Sequence, residues 1–187
     1  MGENTKTKEE IRKELLKRRA GISFEAWKEM SMAIEERVVS HPWFREANVV
    51  YGYLSYNREV NTWSILSEAL KMGKRVAVPK VLGSLMEFYY IENLSELSPG
   101  IMGIFEPKGE KYRLATEEQA FVLMPLVGYD KERNRLGYGG GYYDKYLQRY
   151  PGHKTMGLGF SLQETDRIPS ETTDWKPDII LTEKREV

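Results

Sequence analysis

Four glycines in five positions, Gly137-Tyr138-Gly139-Gly140-Gly141, follow Asn134-Arg135-Leu136 and run into Tyr142-Tyr143-Asp144. Side-chain bulk is almost absent from this loop, so its backbone N–H groups can come close to a ligand. Glycine also accepts the positive φ values that point successive amides into one concavity. Such a concavity binds anions. Tyr143, Leu147 and Tyr150 recur at helical spacing, which predicts a helix over residues 142–150 whose positive N-terminal end faces the same spot. Arg135 can clamp phosphate oxygens from one side, while Asp144 can hold Mg²⁺ beside a polyphosphate from the other. The competing reading, a flexible glycine turn ahead of a tyrosine-rich core helix, covers the glycines alone and leaves their flanks unexplained.

Neither common nucleotide motif fits. A Walker loop needs Gly-Lys-Ser/Thr, and Gly73-Lys74 runs into Arg75; the dinucleotide fingerprint wants glycine where Tyr142 stands. The run NRLGYGGGYYDKYL, residues 134–147, does resemble the signature of the 5-formyltetrahydrofolate cyclo-ligase family, also called methenyltetrahydrofolate synthetases.

The elements that must position this loop follow from the chain in order. Thr7-Lys8-Glu9-Glu10 fits a capping box, and Ile11, Leu15 and Leu16 supply the spacing of a helix reaching about Arg19. Lys8 and Arg12 share a side of that helix with Arg19 and border its apolar stripe, although charge runs are usually solvated faces. Ser23 opens a second helix with Trp27, Met30, Ile34 and Val38 inward, ended by Pro42. A strand over 49–54 leads through the polar loop 55–61 to a helix capped by Thr62 and closed by Gly73. Residues 75–81 and 86–91 read as a hairpin, so the sheet is mixed. Residues 121–127 form a strand broken by Pro125; 155–160 and 179–181 are the last two strands. Helix and strand alternate without a repeat or linker, which predicts an α/β fold, a three-layer α/β/α sandwich with a mixed, mostly parallel sheet. Residues 1–187 are expected to form one domain.

Composition excludes several chemistries. Lys and Arg total 28 and Asp and Glu total 28, so any basic site is local; there is no cysteine and only two histidines. Disulfides, thiolate catalysis and a Cys/His zinc site are therefore out, whereas a hard cation with oxygen ligands remains open. The N-terminal stretch lacks an apolar signal core, Lys6 stands where a myristoylation signal wants Ser or Thr, and no long apolar span follows. A cytoplasmic protein without membrane partners is expected, as a monomer.

The family resemblance covers most of the chain and implies a fold like that of ribose-phosphate isomerases and CoA transferases. It implies an ATP- and Mg²⁺-dependent conversion of 5-formyltetrahydrofolate to 5,10-methenyltetrahydrofolate. By resemblance, Lys8, Arg12, Arg135, Leu136, Gly137, Tyr138, Gly139, Gly140, Gly141, Tyr142 and Tyr143 bind ATP. Leu54, Glu59, Tyr138, Gly139, Gly140, Gly141 and Tyr142 bind the reduced folate, Asp144 and Asp174 hold Mg²⁺, and Arg135, Tyr143 and Lys8 are catalytic. Pro79-Lys80, Phe88 and Gly103-Ile104-Phe105-Glu106-Pro107 also match the family, the last as a wall of the folate pocket, with Met102 where relatives carry an aromatic or polar residue. Lys80 is expected to face the site. Two rivals stand beside this reading: a nucleic-acid-binding module using Lys8, Arg12, Arg18 and Arg19 with loop tyrosines, which the neutral charge balance disfavours, and a folate-storage protein without turnover.

Overall fold

The computed structural model describes residues 6–100, 103–109 and 113–187; Met102 lies outside them. Helix α1 (Lys8–Ala20) starts at the expected capping box, with the Thr7 hydroxyl accepting from the Glu10 N–H and the Glu10 carboxylate accepting from the Thr7 N–H. Helix α2 (Phe24–Ser40) is capped by Ser23, and Pro42, expected only to stop it, begins a further short helix, α3 (Pro42–Glu46). Pro at a first helical position has no N–H to waste there, and the His41 ring caps the next residue by accepting from the Trp43 N–H at 3.1 Å.

Strand β1 (Val49–Tyr51) is shorter than the expected 49–54. The chain leaves the sheet where the Thr62 hydroxyl donates to the Tyr53 carbonyl at 2.5 Å and accepts from the Ser55 N–H at 3.1 Å. Thr62 therefore stands at the N-cap of α4 (Trp63–Lys71) without capping it, its hydroxyl being spent on the loop. Strands β2 (Arg75–Leu82) and β3 (Leu85–Ile91) form the expected antiparallel hairpin, turned by Gly83-Ser84. A two-residue ladder joins β4 (Ser98–Pro99) to β5 (Phe105–Glu106). Strand β6 (Phe121–Pro125) ends at Pro125, which cannot continue a central ladder. A second small ladder, β7 (Gly128–Tyr129) with β8 (Arg135–Leu136), comes before α5 (Tyr142–Arg149), β9 (Lys154–Leu158) and β10 (Ile179–Leu181).

The main sheet has the order β10-β9-β6-β1-β2-β3, parallel except for β3. From β1 the chain steps through α4 to β2; from β6 it steps the other way through α5 to β9. Right-handed crossovers in opposite directions put α4 and α5 on opposite faces, which gives the three layers. Val49, Val50 and Tyr51 are accordingly all buried, as a strand covered on both sides requires. On the α5 face Tyr51 stacks on Phe88, and Tyr146 stacks on His153. Tyr143, Tyr146 and Leu147 are the buried residues of α5, whereas Tyr150, which shares the helical spacing of Tyr143 and Leu147, is 40% exposed. No helix among the described residues is long and apolar enough to cross a membrane.

The strand order reverses between β1 and β6. Loops leaving the carboxyl ends of those two strands diverge there and leave a crevice, the usual ligand position in open α/β sheets. One loop carries Glu59; the other leads through β7 and β8 to the glycines.

Candidate active site

Arg135 is aimed by a turn built just before it. The Asp130 carboxylate accepts from the N–H groups of Glu132, Asn134 and Ile168 and from the Asn134 side-chain amide, at 2.8–3.0 Å. Arg133 takes a left-handed φ of 63° to close the turn. The strand that follows points the buried Arg135 guanidinium at the Pro125 carbonyl (3.1 Å) and at Asp144 Oδ1 (2.9 Å), with Cζ 5.7 Å from the Tyr143 ring centre.

The loop from Gly137 to Gly141 is held open by its backbone. Gly139 and Gly141 sit at φ of 101° and 64°, values that any side chain would strain. None of the N–H groups of residues 138–144 has an acceptor within the protein among the described residues. This is the free amide end of α5 joined to a loop that curves in front of it.

Helix α1 lies along this loop and supplies cations from the far end of the chain. The Arg12 Nε–H donates to the Gly137 carbonyl at 2.8 Å, and its guanidinium lies 3.6 Å from where a Gly139 Cβ would be. Lys8 donates to Asp174 at 2.6 Å and to Glu171 at 3.1 Å. Partial burial works against the Lys8 charge, but these two carboxylates prevail and hold its pKa above the ordinary lysine value. Arg135, Glu171, Asp174 and Trp175 line a cavity of about 90 Å³.

Asp144 and Asp174 meet this arrangement in parallel ways. Asp144 Oδ1 accepts from Arg135 and from the Trp175 N–H (3.0 Å), the residue after Asp174. Asp174 Oδ2 accepts from Lys8 and from the Glu171 N–H (2.7 Å). In each carboxylate the second oxygen makes no hydrogen bond among the described residues, and Asp144 Oδ2 lies 4.0 Å from where a Gly141 Cβ would be.

The deep wall of the crevice is acidic and phenolic. Two successive left-handed residues, Asn57 and Arg58 (φ 52° and 62°), bend the loop after β1 so that Glu59 points inward and is buried. Glu59 accepts from the Tyr56 N–H at 2.7 Å and from the Tyr138 hydroxyl at 2.8 Å, while Trp27 donates to its backbone carbonyl at 2.7 Å. Burial pushes the Glu59 carboxyl up, against the pull of those donors and of the Arg19 charge. Burial likewise raises Tyr143, whose hydroxyl has no partner among the described residues. Leu54 is buried in the main apolar cluster beside this loop. Lys80, expected to face the site, donates to the carbonyls of Pro107 and Lys108 and so ties β2 to that segment.

The structure therefore gathers Lys8, Arg12, Arg135, Asp144, Asp174, Glu59 and the glycine loop around one crevice. Arg19 is visible in the sequence only as part of a basic helix side. It is buried to 2% exposure and donates to the Tyr138 hydroxyl at 2.5 Å. The signal for it is the spacing: Arg19 occupies the position of the Ile11/Leu15 stripe where another apolar residue would be expected.

The profile of the 5-formyltetrahydrofolate cyclo-ligase family matches residues 4–183. The chain belongs to that family. It is 33% identical to a probable 5-formyltetrahydrofolate cyclo-ligase of Schizosaccharomyces pombe over 172 residues, covering 83% of this chain and 84% of the relative. The mouse 5-formyltetrahydrofolate cyclo-ligase is 30% identical over 186 residues, with 92% of each chain covered. Among solved structures, the 5,10-methenyltetrahydrofolate synthetase of Aquifex aeolicus superposes with a TM-score of 0.84 at 32% identity, over 96% of this chain and 91% of that one. The fold is thus shared with a solved 5,10-methenyltetrahydrofolate synthetase.

Proposed function

We propose that the chain closes 5-formyltetrahydrofolate to 5,10-methenyltetrahydrofolate at the expense of ATP, in the crevice between the glycine loop and Glu59. The observation that carries the reading is the convergence on one loop of free N–H groups from residues 138–144 and of Arg12 from a helix more than a hundred residues away. Family membership names the reaction, and this convergence supplies what the reaction needs.

An N-formyl oxygen is a poor leaving group when N10 attacks the formyl carbon, so it must first be activated. Transfer of the γ-phosphoryl group to that oxygen makes it leave as phosphate once N10 has attacked. Phosphoryl transfer asks the protein for in-line placement and neutralised charge and for little covalent help. In this reading the glycine-loop amides and the N-terminal end of α5 cradle the triphosphate. Arg12 and Arg135 bear on its oxygens, and Lys8 joins them. Tyr143, whose buried hydroxyl has no partner among the described residues, faces the acyl group. Glu59, which offers only acceptors when ionised, takes hydrogen bonds from the amino and ring N–H groups of the pterin. Tyr142 and Tyr138 flank the ring.

Mg²⁺ fits the donors present. Two carboxylates that each keep one oxygen uncommitted among the described residues suit a small hard cation that completes its shell with phosphate oxygens and water, so Asp144 and Asp174 would hold it. When bound, it would neutralise charge on the transferring phosphoryl group.

The test mixes the protein with 5-formyltetrahydrofolate and ATP and follows methenyl absorbance together with released phosphate. The expected result is one phosphate per methenyl product, abolished without ATP. Folate binding with no absorbance change on adding ATP would favour the storage reading and overturn this one.

A further inference from the structure

We infer that Arg19 is a positioning residue for the reduced folate, acting through Tyr138 on Glu59. The inference rests on the reading that Glu59 contacts the folate, and it deepens that reading.

Arg19 is among the most buried large side chains of the protein, yet no carboxylate among the described residues touches it. A buried guanidinium ordinarily lies against an acid, because an unpaired internal charge is costly. Here a phenol stands between the two charges. Arg19 Nη2 donates to the Tyr138 oxygen at 2.5 Å, and the Tyr138 hydroxyl donates to Glu59 Oε1 at 2.8 Å. The chain of bonds runs in one direction, cation to hydroxyl to carboxylate, and ends with Glu59 Oε1 as the acceptor. Tyr56 N–H fixes the other oxygen, Oε2, so the carboxylate plane is set from both ends. Arg19 Nη1 is buried without a partner among the described residues, which leaves a donor in reserve.

The link also bears on geometry. Tyr138 belongs to the glycine loop, so its hydroxyl connects the loop proposed for the triphosphate to the acid proposed for the pterin, and Arg19 of α1 holds that hydroxyl in place. Lys8, Arg12 and Arg19 lie on one side of α1 and engage, in order, Asp174, the Gly137 carbonyl and the Tyr138 hydroxyl. The first two serve the phosphate end, and the third reaches the folate end. The groups bearing on Glu59 are Arg19 from α1, Tyr138 from the glycine loop and the Tyr56 N–H from its own loop. Tyr53, beyond β1, and Tyr143 of α5 are coupled to it as well. Of these only Arg19 carries positive charge, so it is the cation that draws this carboxyl down against the upward push of burial.

The experiment compares Arg19→Met, Arg19→Lys and Glu59→Gln in three readouts: the KM for the formylated folate, the KM for ATP, and the pH dependence of folate binding. Tryptophan fluorescence reads the binding, since Trp27 is bonded to the Glu59 carbonyl. Arg19→Met is expected to raise the folate KM about tenfold or more while the ATP KM stays within about twofold, the pattern of one lost charged contact on the folate side. Without the cation the Glu59 carboxyl rises further, so folate affinity, lost as pH falls through that pKa, is lost at higher pH. Arg19→Lys is expected to restore the acid limb. An unchanged folate KM in folded Arg19→Met overturns the inference. So does a joint rise of both KM values with the acid limb unmoved. If Arg19→Met does not fold, Tyr138→Phe breaks the same link, and an unaltered acid limb in that variant is equally fatal. A folate KM unaffected by Glu59→Gln removes Glu59 from the folate site and takes this inference with it; a raised KM in Glu59→Gln beside a normal Arg19→Met sinks Arg19 alone.

Discussion

Two adjacent turns within residues 128–144 use their polar groups in opposite ways. The turn at Asp130 spends everything it has: its buried carboxylate collects three backbone N–H groups and a side-chain amide, and the chain closes tightly on itself. The glycine loop a few residues later spends almost nothing inward, leaving a row of N–H groups without acceptors among the described residues. Buried polar atoms without such partners, among them Arg19 Nη1, Arg135 Nε and the Tyr143 hydroxyl, border the loop as well. Satisfied buried networks hold a shape, and unsatisfied donors gathered in a crevice are available to a ligand. The Asp130 turn is the mount, and the glycine loop is what it presents.

That contrast predicts different failures. Arg135→Ala is expected to lower kcat/KM by about 10² to 10³, the scale of losing a charge-stabilising donor in the transition state, while circular dichroism and thermal midpoint stay close to those of the parent. Near-normal turnover would remove Arg135 from the chemistry. Asp130→Ala should do the reverse: roughly 3 kcal/mol of stability lost in urea unfolding, since it strands several buried donors, with the folded fraction still binding folate. A stable Asp130→Ala protein with poor turnover would erase the distinction. Gly139→Ala falls between these, because a φ of 101° strains any side chain, while the new methyl makes only an ordinary contact with the Arg12 guanidinium at 3.6 Å. A rise of about tenfold in the ATP KM is expected, corresponding to about 1–2 kcal/mol of backbone strain.

The smallest effect concerns His153, far from the crevice. Its ring is buried against Tyr146, and Nδ1 accepts from the Ala120 N–H at 3.0 Å, so burial depresses its pKa below the ordinary histidine value. A depressed folded-state pKa contributes stability that is complete above the unfolded value and lost as pH falls through the folded one. Urea midpoints should therefore decline below about pH 6.5, and His153→Gln should flatten that decline. An unchanged pH slope in the variant would assign the acid sensitivity elsewhere.

What could be read from the sequence is local or carried by an unusual string of residues. The Thr7–Glu10 capping box depends on four neighbouring residues and forms as expected, as does the Gly83-Ser84 hairpin turn. The glycine run announces itself because few other roles demand so many glycines beside Arg135 and Asp144. What escapes depends on partners distant in sequence. Thr62 has the chemistry of a helix cap, but Tyr53 and Ser55 claim its hydroxyl. The two-residue strands at 128–129 and 135–136 have no pattern of their own and exist because Asp130 closes the turn between them. Tyr146, outside the spacing that marks the helix, is buried because Phe88 and His153 lie on its face of α5. Arg19 looks like one more cation on a basic helix, since nothing within a few turns reveals that Tyr138 will meet it.

Amide hydrogen exchange of the protein with and without Mg-ATP tests the central claim most directly, because it reads the two neighbouring turns in one experiment. New protection is expected at the N–H groups of residues 138–144, with no change at Glu132, Asn134 and Ile168, whose amides Asp130 already holds. Nucleotide-dependent protection that leaves the glycine loop exchanging as before would contradict it.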